Sequence, residues 1–178
     1  MKFLAYAMIA ASLVASPALA SPAFDSFRQV CGDTHADFTA IKIALSGAAW
    51  TPTDAAPMTM EGVTVTESVA RQANFGGEKV TVDAWTGMRG AFHVTACTVR
   101  APKNAAGAAD KDSQAWLGFA PQAKDGGKLT WRFGDDGAKL AALDPSGYQA
   151  AVGKGGLYFY NLSTEQSDAV LDLLKIQS

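Results

Sequence analysis

KVTVDAWTGMRGAFHVTACTV, Lys79 to Val99, is the stretch whose reading decides the fold. In its first half Val80 and Val82 alternate with Thr81 and Asp83. In its second, Phe92, Val94 and Ala96 alternate with His93, Thr95 and Cys97. Successive side chains of an extended chain point to opposite faces, so this period of two predicts strands with one face turned to a core. Between Trp85 and Ala91 the glycine-bearing TGMRG supplies the reversal, and the two runs are expected to pair as an antiparallel hairpin.

The same signature recurs outward along the chain. Val63 and Val65 alternate with Thr64 and Thr66. Toward the C-terminus KLTWRF, AKLAAL, YQAAV and LYFYNL are predicted strands, separated by turns at GDDG, DPSG and GKGG. AWTPTDAAPMTMEG, Ala49 to Gly62, holds two prolines and a closing glycine and reads as a loop, whereas DSQAWLGF reads as a short helix. STEQSDAVLDLLKIQ, from Ser163 to Gln177, predicts a helix: Ser163 and Gln166 have capping-box spacing, and Val170, Leu171, Leu173 and Leu174 give an apolar face.

On the N-terminal side, Phe24, Phe27, Val30 and Cys31 fall at helical spacing, and Gly32 is expected to end that helix in a left-handed conformation. THAD then has the pattern of a helix start, with Thr34 as the cap and Asp37 reaching back; it places His35 exposed at the first helical position. Phe38, Ile41, Ala44 and Leu45 continue a second helix. The expected architecture is α+β: one domain over residues 21–178, an antiparallel sheet with an N-terminal helical pair and a C-terminal helix packed on it.

The first twenty residues, MKFLAYAMIAASLVASPALA, combine Lys2, an apolar run from Phe3 to Val14 and the small-residue triplet Ala18-Leu19-Ala20. This is the pattern of a secretory signal peptide cut before Ser21, and the run is too short for a membrane span. The expected location is the periplasm or the exterior, with no integral membrane segment after removal of the signal. In an oxidising compartment the two cysteines, Cys31 and Cys97, are expected to pair as a disulfide.

Composition and motifs narrow the chemistry. With 15 Lys and Arg against 17 Asp and Glu and no cationic cluster, the chain lacks the charge needed to track a polyanion, and no nucleic-acid partner is expected. His35 and His93 are the only histidines, and the thiol beside Asp33, His35 and Asp37 is accounted for by Cys97, so no metal site and no cofactor are expected. Asp110 and Asp112 open like a calcium loop, but Ala115 and Pro121 stand where its glycine and glutamate are required. GYQAAVGKGG has five residues between the glycines where a phosphate loop has four, and Gly155 replaces the hydroxyl. There is no G-x-S-x-G, S-x-x-K or H-E-x-x-H, and no carboxylate pair sits in an apolar setting that would raise one pKa.

Trp131, Phe133 and Phe159 read as core. Trp85, Tyr158 and Tyr160 lie on the faces opposite their apolar neighbours; they are candidates for a binding surface, or for burial under the C-terminal helix. The functional expectation is a non-catalytic binding or interaction protein whose partner is an envelope protein or a glycan. The alternative is a small envelope hydrolase assembled from distant segments, with His93 in its pocket.

FRQVCGDTHADFTAIKIALSGAAWTP, Phe27 to Pro52, also resembles the opening of small exported proteins of Gram-negative bacteria: a Phe, a Cys a few residues on, an alanine-rich helix, a Trp-x-Pro exit, and a second Cys in a later strand. The resemblance implies export, a cystine and a periplasmic domain without an assigned activity. It transfers no catalytic residue.

Overall fold

A computed structural model describes residues 21–54, 60–75, 77–135, 137, 139–164 and 167–178. Residues 1–20, read above as a signal peptide, lie outside the described residues, as does Gln166.

The decisive stretch is a hairpin. β2 (Thr64–Phe75), β3 (Glu78–Arg89) and β4 (Phe92–Pro102) form an antiparallel meander, with Ala84 opposite Cys97 and Trp85 opposite Ala96. The reversal is tighter than expected, because TGMR extends β3 and only Gly90 and Ala91 turn. Gly87 inside that strand serves close approach: a Cβ there would stand 2.3 Å from the Thr64 carbonyl oxygen, next to a register shift between Val65 and Glu67.

After β4 come α3 (Lys103–Ala106) and α4 (Ala109–Leu117), then β5 (Ala123–Asp125), β6 (Lys128–Asp135), β7 (Leu140–Ala142), α5 (Tyr148–Lys154), β8 (Leu157–Ser163) and β9 (Asp168–Gln177). With the two-residue β1 (Thr51–Pro52), the strand order is β1-β2-β3-β4-β9-β8-β6-β5, and β7 pairs with β6. Every pairing is antiparallel, and helices pack on the sheet, so the fold is α+β.

Two expectations fail in the C-terminal third. The segment read as a terminal helix is strand β9, held between β4 and β8 at the middle of the sheet. Ala169, Leu171 and Leu173 face one side and Leu174 and Ile176 the other, so a strand buried on both faces imitates helical spacing. Conversely, YQAAV is helix α5. DPSG starts it: Pro145 opens a 3-10 turn, and Asp144 Oδ1 accepts from the Ser146 and Gly147 amides at 3.1 and 3.3 Å.

The sheet's two faces differ. The helix face carries Val80, Val82, Val99, Trp131, Phe133, Tyr158, Tyr160, Leu171 and Leu173, all buried under the N-terminal segment and α4. That segment is α1 (Pro22–Phe27), a π-helical turn (Arg28–Gly32) and α2 (Phe38–Ala44). The outer face holds a smaller apolar cluster of Trp85, Val94, Ala96 and Leu174, which Phe159 borders instead of entering the main core.

Between the two N-terminal helices the local expectations shift by a few residues. Gly32 does not adopt positive φ; a Cβ there would lie 2.9 Å from the Trp116 ring, so its role is close helix packing. His35 and Ala36 take the left-handed conformation instead, at φ 52° and 48°. The hydroxyl of Thr34 closes the first helix, donating to the carbonyls of Val30 (2.7 Å) and Cys31 (3.1 Å). Asp37 is the cap of α2 and accepts from the Ala40 amide at 2.8 Å. Asp37→Ala is therefore expected to cost about 1 kcal/mol in chemical denaturation; an unchanged midpoint would contradict the cap.

Candidate functional site

The disulfide between Cys31 and Cys97 ties the π-helical turn to β4, with the Cα atoms 5.6 Å apart. Cys31 is thereby unavailable as a ligand or nucleophile. Among the described residues no three His, Cys, Asp or Glu side chains converge as a metal site would require.

The three aromatic candidates are core residues. Tyr160 is fully buried, stacked between Phe27 (4.7 Å) and Trp131 (5.0 Å), and its hydroxyl shares a 2.7 Å hydrogen bond with Ser113 Oγ. Burial pushes its phenol well above the ordinary range. Tyr158 stacks on Phe133 at 5.1 Å and donates to the His35 carbonyl at 3.3 Å. The N-terminal segment covers them, in place of the expected C-terminal helix. Trp85 is buried on the outer face, and its Nε1 has no hydrogen-bond partner among the described residues. None of these rings is open for stacking on a glycan.

The histidines are far apart in role. His93 is exposed at the hairpin end, opposite Met88 and Gln177. His35 Nδ1 lies 2.5 Å from Asp135 Oδ2, whose side chain is mostly buried. This orients an imidazole as a hydrolase would, yet no hydroxyl meets its other nitrogen among the described residues.

A row of polar side chains crosses the outer face: Asp83 opposite Thr98, Thr98 opposite Asp172, Asp172 opposite Asn161, Asn161 opposite Thr130. Thr98 donates to Asp172 Oδ1 at 2.8 Å, Thr130 donates to Asn161 Oδ1 at 2.9 Å, and Arg100 pairs with the fully buried Asp83. Burial raises the Asp172 pKa, and Asp83 adds to the shift, against hydrogen bonds from Thr98 and Asn161. A carboxylate in an environment that raises its pKa thus exists, contrary to the sequence reading. It arises because strands distant in sequence bring Asp83 and Asp172 to one row. A raised native pKa favours the protonated form, so stability is lost as pH rises from the ordinary aspartate value through the raised one. Asp172→Asn is expected to melt above the native protein at pH 7, with the gap closing near pH 4; a constant gap in melts across that range would contradict the shift.

Beyond this row the outer face is hollow. A cleft of 480 Å³ lies between α5, the β3–β4 hairpin end and Met60. Val94, Leu157 and Ile176 belong to its sheet side, and Tyr148 and Val152 to α5. Phe92 lines it while 39% exposed, among the few large apolar side chains that reach solvent. Arg89 is its single charged residue. Among the described residues its guanidinium has one hydrogen-bond contact, with Met60 Sδ at 3.9 Å, and no ion pair.

Comparison with protein-family models, curated proteins and solved structures returns no match. The site rests on its own geometry. Its lining comes from five separated segments, so no local motif announced it. A hollow of 550 Å³ beside α1 is larger; Pro22, Phe75 and Ala105 give it apolar surface, but five polar side chains, Ser21, Asp25, Ser26, Gln29 and Asn104, stand among them. Of the two, the outer-face cleft has the fewer polar side chains, Arg89 and Gln149 beside the Tyr148 ring, and suits an apolar ligand better.

Proposed function

We propose that the chain is an exported, non-catalytic binding protein and that the outer-face cleft is its site. The observation that carries this reading is an apolar cleft of 480 Å³ with a partly exposed phenylalanine in its lining. Its volume lies in the range of about 300–1,000 Å³ that holds small ligands. The native disulfide is compatible with an oxidising compartment, and no described helix is long and apolar enough to cross a membrane.

Two measurements test the two halves. Native mass spectrometry of oxidised protein with a homologous series of aliphatic ligands should show one bound molecule, and Phe92→Glu should abolish it. Binding undiminished in that variant would place the site elsewhere. For export, protein recovered from a bacterial envelope fraction should begin at Ser21.

Such processing has a structural consequence. The Ser21 nitrogen lies 3.4 Å from Asp112 Oδ2, so a cut there would set an α-ammonium against a carboxylate on α4. A charged hydrogen bond of this kind contributes about 1.5–3 kcal/mol. Asp112→Asn should therefore lower the melting temperature of a chain starting at Ser21 more than that of one retaining residues before it. Equal losses would show that the new charge is not engaged.

A further inference from the structure

We infer that the outer-face cleft takes a single-chain amphiphile with a carboxylate head, its tail against the sheet and its head on Arg89. This rests on the reading of the cleft as a binding site and names the ligand class.

The argument begins with the imbalance of the lining. The sheet side is Val94, Leu157 and Ile176, and the opposing helix adds Val152 and the ring of Tyr148, so the interior offers an aliphatic tail apolar surface. Tyr148 is fixed by an edge contact with Phe159 at 5.9 Å. Arg89 stands exposed at the rim of this lining with no ion pair among the described residues, where it can meet the head of a ligand whose tail lies inside.

Arg89 supplies the polar half. It lines the cleft from the last position of β3, at the hairpin end. Met60 lies against its guanidinium, and a Cβ on Gly62 would come 3.8 Å from its Nε. With no ion pair among the described residues, its forked donors remain for a ligand. A guanidinium matches the two oxygens of a carboxylate in a bidentate pair. One guanidinium also neutralises one charge. A phosphate monoester carries about −1.5 to −2 near neutral pH, and it would keep excess charge beside an apolar wall. Charge matching therefore selects a monoanion.

The probe is dodecanoate, below its micellar concentration, titrated into the oxidised protein by calorimetry. Dodecanol, dodecyl phosphate and acetate serve as comparisons, and Arg89→Gln and Phe92→Glu as variants. Dodecanoate should bind one to one. Arg89→Gln should weaken it by about tenfold to a hundredfold, and Phe92→Glu should remove binding. Acetate, which lacks the tail, should bind far more weakly than dodecanoate.

The outcomes separate the two claims. If dodecanol binds as well as dodecanoate, or Arg89→Gln changes nothing while Phe92→Glu still abolishes binding, the head-group assignment falls and the cleft remains a binding site. Tighter binding of dodecyl phosphate would overturn the charge-matching argument. If neither dodecanoate nor dodecanol binds, both the ligand class and the binding reading of the cleft fail. Circular dichroism of each variant establishes that a loss of binding is not a loss of fold.

Discussion

Removing the disulfide is expected to destabilise the protein by about 4 kcal/mol, because the bond closes a loop of 66 residues and withdraws that freedom from the unfolded chain. For a chain of this size the corresponding fall in melting temperature is about 8–16 °C. Cys31→Ser and Cys97→Ser should fall equally, and the native protein should meet them when melted in reductant. Coincident melting with and without reductant would show that the bond constrains little. The site of the link makes a large effect reasonable, since it fastens a π-helical turn, covering the core, to a strand near the centre of the sheet.

Phe27→Ala should cost about 3–5 kcal/mol, the range for deleting a buried ring. Phe27 is fully buried, stacks on Tyr160 at 4.7 Å and meets the edge of Trp116 at 5.6 Å. Its loss opens a cavity between the N-terminal segment and the sheet. Leu174→Ala, in the smaller outer cluster, should cost less. Chemical denaturation followed by tryptophan fluorescence decides the matter. A cost below about 1 kcal/mol would mean that the N-terminal segment is not the main cover of the core.

What could be read from the sequence follows from which interactions are local. The hairpin from Lys79 to Val99 was legible because both its strands alternate with period two, although the main core takes Cys97 and Val99 and leaves Val94 and Ala96 to the outer cluster. Strand β9 was not. Apolar residues on both its faces fit a helix as well as a strand, and pairing with β4 and β8, far away in sequence, decides between them. Helix α5 had a usable signal in Asp144-Pro145, a helix start that resembled a hairpin turn. The misplaced cap near Thr34 reflects two non-glycine residues in left-handed backbone, which no spacing rule anticipates.

The candidate site divides the same way. Cys31 and Cys97 were legible because two thiols permit one pairing. The cleft was not, since Met60, Arg89, Val94, Val152 and Ile176 meet only after the sheet and α5 are in place. For Trp85, Tyr158 and Tyr160 the sequence left exposure and burial open, because the sheet has apolar residues on both faces. Alternation distinguishes one face from the other and does not say which is wet.

The position of β9 also bears on the order of assembly. The last strand described lies between β4 and β8, so any intermediate lacking it presents two bare edges and a divided interior. A chain that emerges from its N-terminus can form the β2–β3–β4 meander and join its thiols early, yet it can unite the halves only when β9 arrives. Closure thus waits for β9, and deleting Asp168–Gln177 removes the keystone of the sheet.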